Sequence, residues 1–186
     1  MQWRGQCPNC HEWNTLQAAV QPKSAPGGNR PRQVMDPSSR PIPLRDVEDA
    51  GHEPYGSGLK ALDRVLGKGL VPGAAILVGG EPGIGKSTLL LQVAGLVAAE
   101  MAARDRPVLY ASGEESLPQI KGRAERLGML DANLLALATS RVEDVVEAAN
   151  AQNPALLVVD SVQTLTSLEA EGLPGNVSQV RAVATS

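Results

Sequence analysis

Residues Gly80-Glu81-Pro82-Gly83-Ile84-Gly85-Lys86-Ser87 fit the pattern G-x-x-x-x-G-K-[ST] without a mismatch. Before them lies the apolar run Ala75-Ile76-Leu77-Val78, bounded by Pro72-Gly73 and Gly79-Gly80; after them runs a Leu- and Ala-rich stretch, Lys86 to Ala103, interrupted by Gly95 alone. The first reads as a buried strand and the second as a largely buried helix. A strand, a Gly-rich loop and a helix in this order make the setting in which the pattern cradles phosphate. Glycines let successive backbone N–H groups curl around an anion, and the helix adds its positive end. Lys86 then reaches the β- and γ-phosphates, and the Ser87 hydroxyl faces Mg²⁺.

Downstream, strand and helix signals alternate. Pro107 to Ala111 reads as a strand, and Leu117 to Leu127 as a helix with Ile120, Ala124 and Leu127 on one face, stopping at Gly128. Leu134 to Ala138 is a short strand. Ser140 is expected to open a helix, with Glu143 completing a capping box and Val142, Val145, Val146 and Ala149 on one face, ending before Pro154. Ala155 to Val159 is another buried strand, closed by Asp160. The pattern predicts an α/β domain with a mostly parallel sheet covered on both faces.

Two further sites follow from that layout. Leu156-Leu157-Val158-Val159-Asp160 puts a carboxylate at the carboxyl end of a strand, where it can hold Mg²⁺ through water. Glu114 and Glu115 directly follow the second strand, in Ser112-Gly113-Glu114-Glu115-Ser116, where a carboxylate can orient the attacking water. Glu114 is the expected catalytic group and Glu115 the alternative, because an acidic residue here also suits the start of the next helix.

The chain has 186 residues, 42% apolar and 20% charged, enough for one domain with a small appendage. A formal net charge of -3 excludes a strongly basic, histone-like binder, though not a local basic groove. With two Trp, two Tyr and no Phe, base recognition built mainly on aromatic stacking is not expected. Met1-Gln2-Trp3-Arg4-Gly5 carries no secretory h-region, and Leu89 to Ala103 is broken by Gln92 and Glu100, too short and polar to span a bilayer. Cys7 and Cys10 form one C-x-x-C, so a reducing, cytoplasmic setting is expected. Seven of the fourteen prolines (Pro22, Pro26, Pro31, Pro37, Pro41, Pro43 and Pro54) fall between residues 21 and 54, which reads as a linker. The expected organisation is a cysteine- and tryptophan-bearing segment over 1–16, a linker over 17–54 and a P-loop α/β domain over 55–186.

Tyr55 to Leu70, with Gly56-Ser57-Gly58, Leu62-Asp63 and Leu66-Gly67-Lys68-Gly69-Leu70, resembles the lead-in to the P-loop strand of RecA-superfamily ATPases. Trp3 to Cys10 with Trp13-Asn14-Thr15 looks like the second half of the zinc finger of the bacterial RadA (Sms) DNA repair family. Gly80 to Gln92, Ser112 to Ser116, Gln119 to Gly128, Asp160 to Thr164 and Pro174 to Arg181 are similar to that family too. The combination of a cysteine half-finger, a linker and this ATPase is the specific feature.

The resemblance implies a RecA-like P-loop core and a DNA-dependent ATPase of recombinational repair. It implies movement on single-stranded DNA, processing of branched intermediates, a hexameric ring and the recombinase RecA as partner. By position it implies nucleotide binding at Gly80 to Thr88 (Gly80, Glu81, Pro82, Gly83, Ile84, Gly85, Lys86, Ser87, Thr88), catalysis by Lys86, Glu114 and Asp160, and Mg²⁺ at Ser87 and Asp160. ATP is the nucleotide implied, and no guanine-reading Asn-Lys-x-Asp is present. Leu168–Asn176 corresponds to a DNA-facing loop; Gly172, Pro174 and Gly175 suit mobility, but Glu169 and Glu171 without Lys or Arg attract phosphate poorly. Arg123 and Arg126 are visible as trans-acting arginines, with a solvated helix face as the plainer role.

The chain departs from the family at both ends. Zn²⁺ takes four ligands, and Cys7 and Cys10 are one pair. His11, directly beside Cys10, is awkward as a third. The expectation is that Met1 is internal or a misplaced start and that the other pair lies upstream. The family's later ATPase strands, which flank the P-loop strand, its Lys-Asn-Arg-Phe-Gly motif and its protease-like C-terminal domain are absent, so the sheet is expected to be incomplete, with an unpaired apolar edge, and residues 1–186 alone to bind nucleotide weakly and not to hydrolyse it. The competing readings are a nucleotide-gated signalling ATPase, which needs no cysteine-tryptophan N-terminus, a zinc-dependent DNA-binding module with a degenerate ATPase, which the intact loop argues against, and a small-molecule kinase, for which no lid or acceptor pocket is apparent.

Overall fold

The computed structural model describes residues 42–47 and 53–186, so the expectations for 1–16, with Cys7 and Cys10, and for most of the linker lie outside the described residues. Residues 42–47 contain a short 3-10 turn, Leu44–Asp46. The rest is built from α1 (Lys60–Val65), α2 (Lys86–Met101), β1 (Val108–Ser112), α3 (Leu117–Leu127), β2 (Leu134–Ala138), α4 (Val142–Gln152), β3 (Leu156–Asp160) and α5 (Val177–Thr185).

The three strands form a parallel sheet in the order β2-β1-β3, with Ser112 level with Ala138 on one side and Asp160 on the other. Alternation along the strands gives the sheet two faces. Val108, Tyr110 and Val158 turn to one face and pack with Leu91, Val97, Ile120 and Ala124 of α2 and α3. Ala111, Leu137 and Val159 turn to the other and pack with Val142, Val145, Leu165 and Val183. Central β1 is buried throughout, whereas Leu157 on β3 is 40% exposed, so the edge strands are covered only in part.

The long apolar helix is a core element. Leu91, Val93, Ala94, Gly95, Val97, Ala98 and Met101 of α2 are buried within the domain, while Leu89, Leu90 and Leu96 are half-buried. By length and composition alone α2 with the turn after it is apolar enough to cross a membrane, contrary to the sequence expectation, but its buried face makes it a core helix of this domain.

The lead-in segment has a structural reason for its residue types. Tyr55 and Leu70 pair in an antiparallel bridge, and a Cβ on Gly69, whose φ is +121°, would fall 2.3 Å from the Tyr55 carbonyl oxygen. Only glycine fits such an approach. Asp63 Oδ1 accepts from the Ser57 N–H at 2.8 Å, and the Tyr55 hydroxyl donates to the Ala155 carbonyl at 2.8 Å, fastening this hairpin-like unit to the start of β3.

Two sequence expectations are corrected. Ala75-Ile76-Leu77-Val78 is not a buried strand: it lies outside the sheet, with Ile76 46% and Leu77 90% exposed. A strand exists only by pairing, and among the described residues none pairs with this run. Nor does Ser140 open a helix. Residues 140–142 are drawn alongside Thr166, with Thr166 N–H donating to the Ser140 carbonyl and Val142 N–H to the Thr166 carbonyl, so α4 starts at Val142. The capping box with Glu143 is therefore absent. Thr139 Oγ1 instead accepts from Arg141 N–H and donates to Asp144 Oδ2 at 2.6 Å.

Candidate nucleotide site

Gly80–Gly85 runs exposed into α2. Gly85, at φ +102°, is the N-cap, and lacking a side chain it leaves the N–H groups of the first helical turn without a side-chain cap. Such donors at a helix start are what an anion takes up. No added Cβ on Gly83 or Gly85 would meet an atom within 4 Å, so their glycines answer a backbone requirement and the space above the loop is open. Lys86 Nζ donates to the Gly80 carbonyl at 2.8 Å and the Glu81 carbonyl at 2.9 Å, folding back over its own loop. Ser87 is half-buried beside it, and Thr88 and Ile84 are exposed. Open donors, a cation and a hydroxyl in one turn fit a nucleotide phosphate with its Mg²⁺.

Asp160 ends β3 on the same sheet face that α2 covers. Its residue is 7% exposed, and its Oδ2 accepts a 2.6 Å hydrogen bond from the buried Tyr110 hydroxyl. Burial, and then this hydrogen bond to Asp160, push the Tyr110 phenol well above its ordinary ionisation range, so it is a fixed donor. Asp160 Oδ1 has no hydrogen-bond partner among the described residues.

Glu114 and Asp160 both lie at the carboxyl edge of the sheet. Gly113 N–H donates to the Asp160 carbonyl at 3.1 Å, and Ser161 Oγ donates to Glu114 Oε1 at 2.9 Å. The buried Ser112 Oγ accepts from both Glu114 and Glu115 N–H groups, fixing the turn. The two glutamates part company from there. Glu115 Oε1 is held by the Arg123 guanidinium, both side chains being about four-fifths buried, while Glu114 is exposed and outside any ion pair among the described residues. This removes Arg123 from the trans-acting arginines and equally from a solvated helix face. Arg126 stays exposed and, among the described residues, donates only to Gly122. Lys86, among the described residues, bonds only within its own loop.

Helix α3 is capped by Gln119, whose Oε1 accepts from the Ser116 N–H and hydroxyl, a use of Ser116-x-x-Gln119 that sequence reasoning passed over. Ser112, Ser161 and Tyr110 were also missed as site residues. Tyr110 could have been found from strand alternation, which puts it on one face with a carboxylate two positions further along the neighbouring strand.

Leu168–Asn176 is not a free loop. Gln179, buried at the start of α5, accepts from Ser167 N–H and donates to the Ser167 and Ala170 carbonyls. Glu143 Oε1 accepts from Leu168 N–H at 2.7 Å and from the Ser167 hydroxyl. The Leu168 hydrogen bond leads the interactions that hold the Glu143 carboxyl below its ordinary range. A lowered folded-state value means that stabilisation is present above the unfolded value and is lost as pH falls through the folded one. The Leu168 amide is therefore expected to keep its exchange protection at neutral pH and lose it only as pH falls below the ordinary carboxylate range; in Glu143→Gln it should be weakly protected at every pH. Equal protection in both proteins at neutral pH would show that Glu143 does not anchor the loop.

Comparison with known proteins places this geometry. A family model described as AAA domain matches residues 39–179. The chain belongs to the AAA domain family. A second model, described as a rubredoxin metal binding domain, matches residues 1–18, the segment with Cys7 and Cys10. This AAA domain protein is 45% identical over 183 residues to the DNA repair protein RadA of Aquifex aeolicus, covering 98% of this chain and 39% of that one. It is 45% identical over 184 residues to RadA of Mycobacterium tuberculosis (97% and 37%) and 41% identical over 182 residues to RadA of Listeria monocytogenes (96% and 38%). The resemblance to the RadA family and the RecA-like P-loop α/β core expected from sequence are thereby borne out, while the chain spans about two fifths of the length of these relatives.

Proposed function

We propose that the protein is an ATPase of recombinational DNA repair, working in the cytoplasm as a hexameric ring whose ATP hydrolysis drives movement on single-stranded DNA and the processing of branched intermediates beside RecA. The observation that carries this reading is that the similarity to the DNA repair protein RadA runs over 96–98% of the chain, taking in the phosphate loop, Glu114 and Asp160 together. The domains assigned are a metal-binding segment over 1–16, a linker over 17–54 and the ATPase over 55–186. Cys7 and Cys10 supply two of the four thiolates that a tetrahedral Zn²⁺ site takes.

In this reading the backbone N–H groups of Gly83 to Ser87 donate to the β- and γ-phosphates, with Gly80, Glu81, Pro82 and Thr88 shaping the loop. Lys86 exchanges its two loop carbonyls for phosphate oxygens. The Ser87 hydroxyl and the Oδ1 side of Asp160 would hold Mg²⁺, which when bound would offset phosphate charge. Glu114 accepts a hydrogen bond from the attacking water and aligns it with the γ-phosphorus. Glu115, committed to Arg123, supports the turn.

A nucleotide-gated switch without motor activity is the second reading, favoured by the absence of Lys and Arg from 168–176. The test is the ATPase rate of the full-length protein with and without single-stranded DNA, beside Lys86→Ala. Strong stimulation by DNA, lost in the variant, is expected. A rate indifferent to DNA would favour the switch.

A further inference from the structure

We infer that Tyr110 is a positioning residue for the metal side of this site: its hydroxyl takes one oxygen of the Asp160 carboxylate so that the other is held toward Mg²⁺. The inference rests on the reading that Asp160 helps to place Mg²⁺, and it assigns a role to a residue which that reading leaves in the core.

The geometry is specific. Tyr110 is 0% exposed at the centre of the middle strand, and its ring is fixed in the cluster that includes Leu91, Val97, Ile120 and Ala124. The ring cannot turn without disturbing both α2 and α3. Its hydroxyl reaches diagonally across the ladder, past Val158, to Asp160 Oδ2 at 2.6 Å. A carboxylate on a single side-chain stem otherwise rotates freely and offers either oxygen, or both. With Oδ2 committed to a rigid donor, Asp160 offers Oδ1 alone, in one orientation. This suits a ligand held through water, which needs one well-aimed acceptor. Partners of this outer kind carry much of a metal site's affinity.

A plainer role is also physically sound: a buried carboxylate needs a donor, and any donor would serve stability. The two roles separate on metal dependence. In the full-length protein, binding of a fluorescent ATP analogue is measured in EDTA and across a Mg²⁺ titration. Tyr110→Phe is expected to raise the Mg²⁺ concentration for half-maximal binding about tenfold, with affinity in EDTA unchanged. Equal weakening with and without Mg²⁺, or no change in either, would overturn the proposal. Asp160→Asn is the control on the reading beneath it: if that variant keeps the wild-type Mg²⁺ dependence, the role of Asp160 itself fails and the proposal falls with it. If Asp160→Asn is impaired and Tyr110→Phe is not, only the Tyr110 role fails.

Should Tyr110→Phe not fold, 3-fluorotyrosine-labelled wild-type protein puts the same question. The Tyr110 fluorine resonance, assigned by its displacement in Asp160→Asn, is expected to move when Mg²⁺ joins the nucleotide complex. A resonance indifferent to Mg²⁺ would overturn the proposal.

Discussion

Glu114→Gln is expected to lower the turnover of ATP about 100- to 10,000-fold while leaving ATP binding intact. That loss corresponds to about 3–5 kcal/mol of transition-state stabilisation. The size follows from what is removed. Gln has the shape of Glu and can still accept the 2.9 Å hydrogen bond from Ser161 through its amide oxygen, so the turn fixed by Ser112 should persist. It carries no charge and is a poor base, so the water loses its acceptor. Glu115→Gln should behave differently. Its partner Arg123 would be left largely buried without a counter-charge, so stability should fall and turnover should drop less. The measurement is single-turnover hydrolysis beside an equilibrium binding curve for each variant. A larger catalytic loss in Glu115→Gln than in Glu114→Gln would exchange their roles.

The second large effect concerns Ala75 to Val78. Leu77 is 90% exposed in a run that leads directly into the phosphate loop. Burying an Ile or Leu side chain is worth about 1.5–3 kcal/mol, so this run gains from any strand laid beside it. The loop is then tethered at both ends, by a strand before it and by α2 after it. Residues 1–186 alone are therefore expected to bind ATP at least about tenfold more weakly than a protein of the relatives' length, a gap of about 1.4 kcal/mol, and to show no turnover. Calorimetry on both proteins measures the first, and a steady-state assay the second. Turnover by 1–186 that Lys86→Ala abolishes would refute the dependence on further strands.

Local patterns were legible in the sequence wherever the deciding interactions are themselves local or follow from alternation. The helix over Leu117 to Leu127 ends at Gly128 as its periodicity and glycine foretold, and the strands at 134–138 and 156–160 lie within a residue of their expected bounds. Ala75 to Val78 was misread because an apolar run carries no mark of whether its partner is at hand. Ser140 was misread because Thr166, far along the chain, competes for its backbone. The division of labour between Glu114 and Glu115 was left open by sequence because only folding brings Arg123 to one of them.

The burial of α2 ties the chemistry of the loop to the survival of the molecule. The same helix that opens at Lys86 supplies Leu91, Ala94, Val97 and Ala98 to the interior. A ligand held by the loop would therefore be held at the start of the helix around which the domain is assembled. A ligand at a hundred times its dissociation constant adds about 2.7 kcal/mol to the folded state. If the proposed reading holds, the melting temperature of the full-length protein should rise with ATP concentration, and a melt indifferent to ATP would uncouple the loop from the core.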